Sequence, residues 1–175
     1  MQVKLLEHTP NAAEVIYSAA RQCYSNEYAG DMYLKKAKNK QAFIKQIIES
    51  GHTSVIEHVT FTFAVDGISR SCTHQLVRHR LASYSQQSQR YCKLDSNEKW
   101  YITPSSIKND GYYLKMYDEL MQSIANFYKS LVDNKIPAED ARFILPNATK
   151  TSIVVTMNCR SLLNFFEHRC CNRAQ

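Results

Sequence analysis

Apolar and polar positions along the chain recur with two periods, and the switches between them place the predicted elements. Residues 2–8 (QVKLLEH) read as a short strand. Pro10-Asn11 opens an amphipathic helix, AAEVIYSAARQCY, with Val15, Ile16, Ala19 and Cys23 at helical spacing. The polar, basic stretch 25–40 is a loop or a short helix, and 41–50 (QAFIKQIIES) form a helix that Gly51 stops. TFTFAV (60–65) alternates like a half-buried strand, which Asp66-Gly67 should end. A helix over 68–80 would bring Ile68, Cys72, Gln75 or Leu76 and His79 near one another. The serine- and glutamine-rich stretch after it is too polar for a core. A longer helix spans 112–132, another runs from Pro137 to Pro146, 151–157 is β-branched and strand-like, and 160–170 close as a helix. Helices and strands without regular β-α-β alternation predict an α+β fold.

At 175 residues, with no repeat or linker, the chain is sized for one domain, 1–175. Its 44% hydrophobic and 22% charged residues are a globular balance that excludes disorder. No apolar run approaches the roughly 18–20 residues that cross a bilayer, so no membrane partner is expected. MQVKLLEHTP lacks the apolar core of a signal peptide, which makes a cytoplasmic protein the expectation. The six cysteines (Cys23, Cys72, Cys92, Cys159, Cys170, Cys171) contain no CxxC pair. They are expected to be reduced and packed as small core hydrophobes.

Charge narrows the chemistry. The net charge of +6 favours anionic partners. Between Asp66 and Asp95 there is no acid, yet Arg70, Arg78, Arg80, Arg90 and Lys93 fall inside. From 141 to 175, Arg142, Lys150, Arg160, Arg169 and Arg173 face the single acid Glu167. A solvated helix interleaves its signs, so this segregation calls for an anion, with an ordinary basic surface patch as the alternative. Arginine outnumbers lysine in both stretches, which suits bidentate contacts to phosphate or carboxylate. A helix ending in Arg78-His79-Arg80 would deliver three planar donor groups to one place. Ser83, Ser85, Gln86, Gln87, Ser88 and Gln89 follow, with edges suited to a pyrimidine or an isoalloxazine. A plain Ser/Gln-rich surface loop is the alternative there.

Two other classes fit worse. A metal-dependent hydrolase could use His52, His58, His74 and His79, but HExxH is absent and no metal site is expected. A nucleic-acid module would explain the charge, yet no zinc-finger, RRM or KH signature occurs and few aromatics interleave the arginines. No nucleic-acid partner is therefore expected. His8 and His168 read as surface or packing residues, and Phe165-Phe166 as core. Tyr84 and Tyr91 flank the polar stretch.

Arg78-His79-Arg80, followed after seven residues by Ser88-Gln89-Arg90-Tyr91, resembles the signature of the flavin-dependent thymidylate synthases. Gly51-His52-Thr53-Ser54-Val55-Ile56-Glu57-His58 resembles that family's upstream segment, and Ala141-Arg142-Phe143-Ile144-Leu145-Pro146 a later one. Asn158-Cys159-Arg160-Ser161-Leu162, with Asn164, Phe165 and Arg169, resembles its C-terminal helix.

The resemblance implies a small, mostly antiparallel sheet packed by helices, and a homotetramer with active sites shared between subunits. The implied reaction is methylation of dUMP to dTMP, with 5,10-methylenetetrahydrofolate as carbon donor and NADPH, through FAD, supplying the hydride. By resemblance, FAD meets Ser54, Arg78, His79, Arg80, Gln86, Asn158, Arg160 and Asn164, with His52 near the rings. The nucleotide meets Gln75, Arg78, Gln86, Gln87, Ser88, Arg90, Arg142 and Arg169, and Arg169 is the expected electrophilic catalyst. Ser88 is read as a ligand, because a nucleophilic serine needs a base beside it. Family members run on past Arg173-Ala174-Gln175, so a truncated C-terminus, with fraying close to Arg169, is expected.

Overall fold

The computed structural model describes residues 1–35, 39–96 and 98–170. Cys171 and Arg173, named above, lie outside these. The strands are β1 (Gln2–His8), β2 (Thr60–Ser69), β3 (Ser83–Gln86) and β4 (Lys150–Asn158), in one sheet of order β1-β2-β4-β3. The helices are α1 (Ala12–Gln22), α2 (Ala29–Leu34), α3 (Lys40–Glu49), α4 (Arg70–Leu76), α5 (Ser105–Lys108), α6 (Gly111–Asp133), α7 (Ala138–Ala141) and α8 (Cys159–Arg169). Two 3₁₀ turns, Thr53–His58 and Arg142–Ile144, complete an α+β architecture.

The residues fall into two compact units. The first contains Met1–Val3, Val65–Arg78 and Ser85–Val154. The second contains Lys4–Ala64, His79–Tyr84 and the described residues from Val155. In the first unit Asp66 pairs with Ser152 and the Arg70 N–H donates to the Thr149 carbonyl, so β2 and β4 run antiparallel. The core of that unit is Trp100, Met121 and Ala125, with Tyr117, Ile124 and Leu145 against it. Asp110 starts α6 by accepting hydrogen bonds from the Tyr112 and Tyr113 amides. In the second unit Ile16, Ala20, Val55, Ile56 and Val59 form the core, packed by Phe43, Ile44 and Ile47 of α3. Gly51, at φ 81, ends that helix in the left-handed region that only glycine enters freely. On β4 the residues Thr151, Ile153, Val155 and Met157 are buried in strict alternation.

Several expectations need correction. β2 does not stop at Asp66-Gly67 but runs on to Ser69. The Asp66 carboxylate accepts the Ser152 hydroxyl across the strands, and Gly67 takes φ 72, so a turn-like pair sits inside a strand as a local irregularity. The helix expected over 68–80 is only Arg70–Leu76, because Ser69 caps its start through the Cys72 amide and leaves Ile68 in the strand. Beyond it the His79 carbonyl accepts from the Tyr84 hydroxyl at 2.7 Å and the Leu81 carbonyl from Ser161, bonds that an ongoing helix could not make. Arg78, His79 and Arg80 therefore do not share a helix end, and Arg78 belongs to the first unit while His79 and Arg80 belong to the second. Most of the described cysteines are not core residues: Cys23, Cys92 and Cys170 are exposed and Cys72 is partly so, whereas Cys159, half-buried, packs against the core of the second unit as expected. Phe166 is 46% exposed, so the Phe165-Phe166 pair is not core. Fraying is not seen at Arg169, since the Cys170 amide still bonds the Phe166 carbonyl at 3.0 Å.

Candidate active site

The first unit holds most of the residues expected at the nucleotide. Gln75 lies exposed on α4 and Arg78 just beyond it. Gln86, half-buried at the end of β3, donates through Nε2 to the Thr73 hydroxyl at 2.7 Å, which fixes its carboxamide. The Gln87 amide bonds the Ser152 carbonyl, and the Ser88 hydroxyl accepts the Arg90 amide at 3.2 Å. Arg90 pairs with the Glu139 carboxylate at 2.7 Å, and Arg142 Nε donates to the Glu139 carbonyl at 3.0 Å. One glutamate on α7 thus anchors both arginines.

Arg70 went unassigned in the sequence reading, which counted it only as charge. It is half-buried on α4 and donates to the Gln87 carbonyl at 2.5 Å. Its Nε is buried and, among the described residues, has no partner. Burial, and then the Arg142 charge, lower its pKa below the usual arginine range. A half-buried guanidinium with a second one near it, neither paired with a carboxylate among the described residues, is chemically suited to an anion. Arg70, Gln87 and Ser88 also line a cleft of about 250 Å³.

The second unit holds most of the residues expected at the flavin. His52 and Ser54 are exposed at the start of the first 3₁₀ turn, and Arg80 is exposed after His79. Asn158 caps α8: its Oδ1 accepts the Ser161 amide at 2.8 Å, which leaves its Nδ2 as the donating end. Arg160 pairs with Glu57 at 2.6 Å, joining α8 to the 3₁₀ turn. Asn164 is exposed on the same helix, and its carbonyl bonds the His168 ring. His79 is held through Nε2 to the Ser161 hydroxyl at 2.9 Å, with Phe165 meeting its ring edge-on at 5.6 Å. Arg169 is half-buried beside Tyr84: burial raises the phenol pKa and the Arg169 charge offsets part of that rise. Ser161, Glu57 and Glu139 had no assigned role in the sequence. Ser161 and Glu57 stood inside segments that carry the resemblance, but Glu139 gave no signal, lying 49 residues along the chain from Arg90.

The profile of a family described as "Thymidylate synthase complementing protein" matches residues 4–175. The chain is 47% identical over 176 residues to the flavin-dependent thymidylate synthase of Geobacter sulfurreducens, covering all of this chain and 76% of that protein. The chain belongs to the flavin-dependent thymidylate synthases. The flavin-dependent thymidylate synthase of Pyrococcus furiosus is 43% identical over 178 residues, covering all of this chain and 73% of its own length. Among solved structures, the UMP/dUMP methylase PolB of Streptomyces cacaoi, bound with 5-Br dUMP, aligns with a TM-score of 0.80 at 24% identity. That alignment covers 96% of this chain and 77% of PolB. ThyX of Helicobacter pylori, with FAD and dUMP, aligns at 0.77 and 22% identity over 100% of this chain and 86% of its own. At these identities the two structures establish the shared fold. No described helix of this flavin-dependent thymidylate synthase is long and apolar enough to cross a membrane. No described cluster of His, Cys, Asp or Glu could hold a metal ion.

Proposed function

We propose that this chain converts dUMP to dTMP by reductive methylation in de novo dTMP synthesis, as a homotetramer with active sites shared between subunits. The carbon donor is 5,10-methylenetetrahydrofolate and the reductant is NADPH. FAD, when bound, supplies the hydride transfer. Family membership supports the reaction, and Arg70, which lines a cleft with Gln87 and Ser88 and is disfavoured by the nearby Arg142 charge, is the observation that supports the nucleotide phosphate there. Arg90, Arg78, Gln75 and Gln86 complete the nucleotide set. Ser88 binds through its hydroxyl, since no base touches it among the described residues. Arg169 is the catalytic residue: its guanidinium at the uracil carbonyl stabilises charge spreading over the ring, an effect of about 3 kcal/mol.

The donor chemistry of the second unit fits FAD. Arg80 and Arg160 offer planar donors to phosphates, while Ser54, His79, Asn158 and Asn164 offer the mixed donors and acceptors that a ring system and a polyol require. His52 lies at the rings. Self-association is supported by apolar side chains left in solvent. Tyr113, Met116, Leu120 and Phe127 form a stripe along α6, and Val3, Leu5 and Leu6 are all exposed on β1.

The test is the visible spectrum of the purified protein with FAD, then with anaerobic NADPH and dUMP. Bleaching of the flavin bands, with dTMP formed once the folate is added, is expected. Arg169→Ala should keep FAD and lose turnover, whereas unchanged dTMP formation would remove Arg169 from catalysis. Full activity in a species of subunit mass would refute the tetramer.

A further inference from the structure

The hydrogen bonds around His79 put a proton on Nε2. Ser161, only 3% exposed, donates its hydroxyl proton to the Leu81 carbonyl, which can only accept. Its oxygen lone pairs remain for His79 Nε2 at 2.9 Å, so Nε2 must supply the N–H. Phe165, one turn further along α8, meets the ring edge-on at an interplanar angle of 80°. The Tyr84 hydroxyl bonds the His79 carbonyl at 2.7 Å, and Asn158 ties the Ser161 amide to the start of the helix. Ring, backbone and supporting helix are thus each fixed by a separate contact. Among the described residues Nδ1 has no hydrogen-bond partner.

We propose that Ser161 is a positioning residue that fixes the Nε2–H tautomer as the uncharged form of His79, the form in which Nδ1 is presented to the cofactor as a hydrogen-bond acceptor. A ring nitrogen bearing a lone pair meets a hydroxyl or an N–H, not a phosphate oxygen. The chemical class that faces His79 is therefore a donor on the polyol or the ring system of the flavin, and the phosphates fall to the arginines. This inference rests on the reading that His79 meets the flavin.

The experiment uses protein labelled with ¹⁵N-histidine, sedimented with and without FAD, and read by solid-state ¹⁵N NMR, with His79→Gln to assign the signals. The wild type should show His79 as the Nε2–H tautomer. Ser161→Ala should show a mixture of the two tautomers and a roughly tenfold weaker FAD dissociation constant, and Ser161→Thr, which keeps the hydroxyl, should recover both. An Nδ1–H ring in the wild type overturns the proposal whether or not Ser161→Ala folds. Unchanged His79 signals or unchanged FAD affinity in Ser161→Ala also overturn it. Failure of the wild type to bind FAD would instead refute the flavin reading, and the tautomer of the FAD-free chain would still decide whether Ser161 sets it.

Discussion

Replacing Arg70 by Met should separate stability from binding, because the ligand-free structure rewards that guanidinium poorly. Its favourable contact is the bond to the Gln87 carbonyl at 2.5 Å, and a charge-assisted bond of that kind contributes about 1.5–3 kcal/mol. Against it stands the buried Nε without a partner, a cost of about 1–3 kcal/mol, and the repulsion from Arg142. Methionine has similar reach and removes all three, so unfolding free energy should change by less than about 1 kcal/mol. The nucleotide phosphate, in contrast, loses a charge-assisted partner worth about 1.5–3 kcal/mol, which weakens dUMP binding roughly 10- to 100-fold. Urea unfolding at fixed protein concentration measures the first quantity, since subunit association shifts apparent stability, and calorimetric titration with dUMP measures the second. The wild type should also lose more affinity than Arg70→Met as salt is raised. A variant destabilised by more than about 3 kcal/mol that binds dUMP within twofold of the wild type would make Arg70 a structural strut and refute this reasoning.

Two further expectations concern the frame around the site. Burial, reinforced by its hydrogen bond to Asp118 at 2.6 Å, pushes the Tyr101 phenol up to about 12. Between the ordinary tyrosine value of about 10 and that limit, the unfolded chain has lost a proton that the folded chain keeps, so stability falls as pH rises. Tyr101→Phe should flatten this alkaline decline in urea midpoints, leaving the smaller contribution of Tyr117; equal slopes in both proteins would contradict it. Ile56, fully buried against Val55 and Val59, should cost about 2–5 kcal/mol as Ile56→Ala and about 1 kcal/mol as Ile56→Val. Thermal melts read this directly, and an Ala variant melting within a degree or two of the wild type would show a site able to collapse around the lost atoms.

Elements with a strong hydrophobic period of their own were legible in the chain. α6 presents Met121, Ala125 and Tyr128 inward at helical spacing, and β4 buries every second residue, so both were anticipated to within a residue or two. What failed were boundaries decided by partners distant in sequence. Asp66-Gly67 carries a turn's composition, yet the Ser152 hydroxyl, 86 residues away, holds Asp66 in a strand. The expected helix over 68–80 had an apolar face throughout, but its last residues are bound by Tyr84 and, through Leu81, by Ser161. The cysteines were expected inside because thiols are weakly polar; the chain fills its core with Ile, Val, Met and Trp and, Cys159 apart, leaves the described thiols at or near the surface.

The arginines show most clearly where linear reading stops. Segregated positive charge marks two stretches of the chain as calling for an anion, because a stretch without acids cannot neutralise itself along the chain. It could not tell one arginine from another. Folding brings Glu139 to Arg90 and Glu57 to Arg160, so each of these guanidiniums is already oriented by a carboxylate that an anionic ligand would have to share or displace. Arg70 and Arg142 receive no such carboxylate among the described residues, and the Arg142 charge lies close enough to disfavour that of Arg70. An anion arriving between them gains attraction to both and relieves their repulsion, whereas at Arg90 part of that gain is cancelled by Glu139. The affinity for the phosphate should therefore rest more on Arg70 and Arg142 than on Arg90. Arg90→Met is accordingly expected to weaken dUMP less than Arg70→Met does, and the reverse order in the same titration would mean that Glu139 prepares Arg90 for the ligand instead of competing for it.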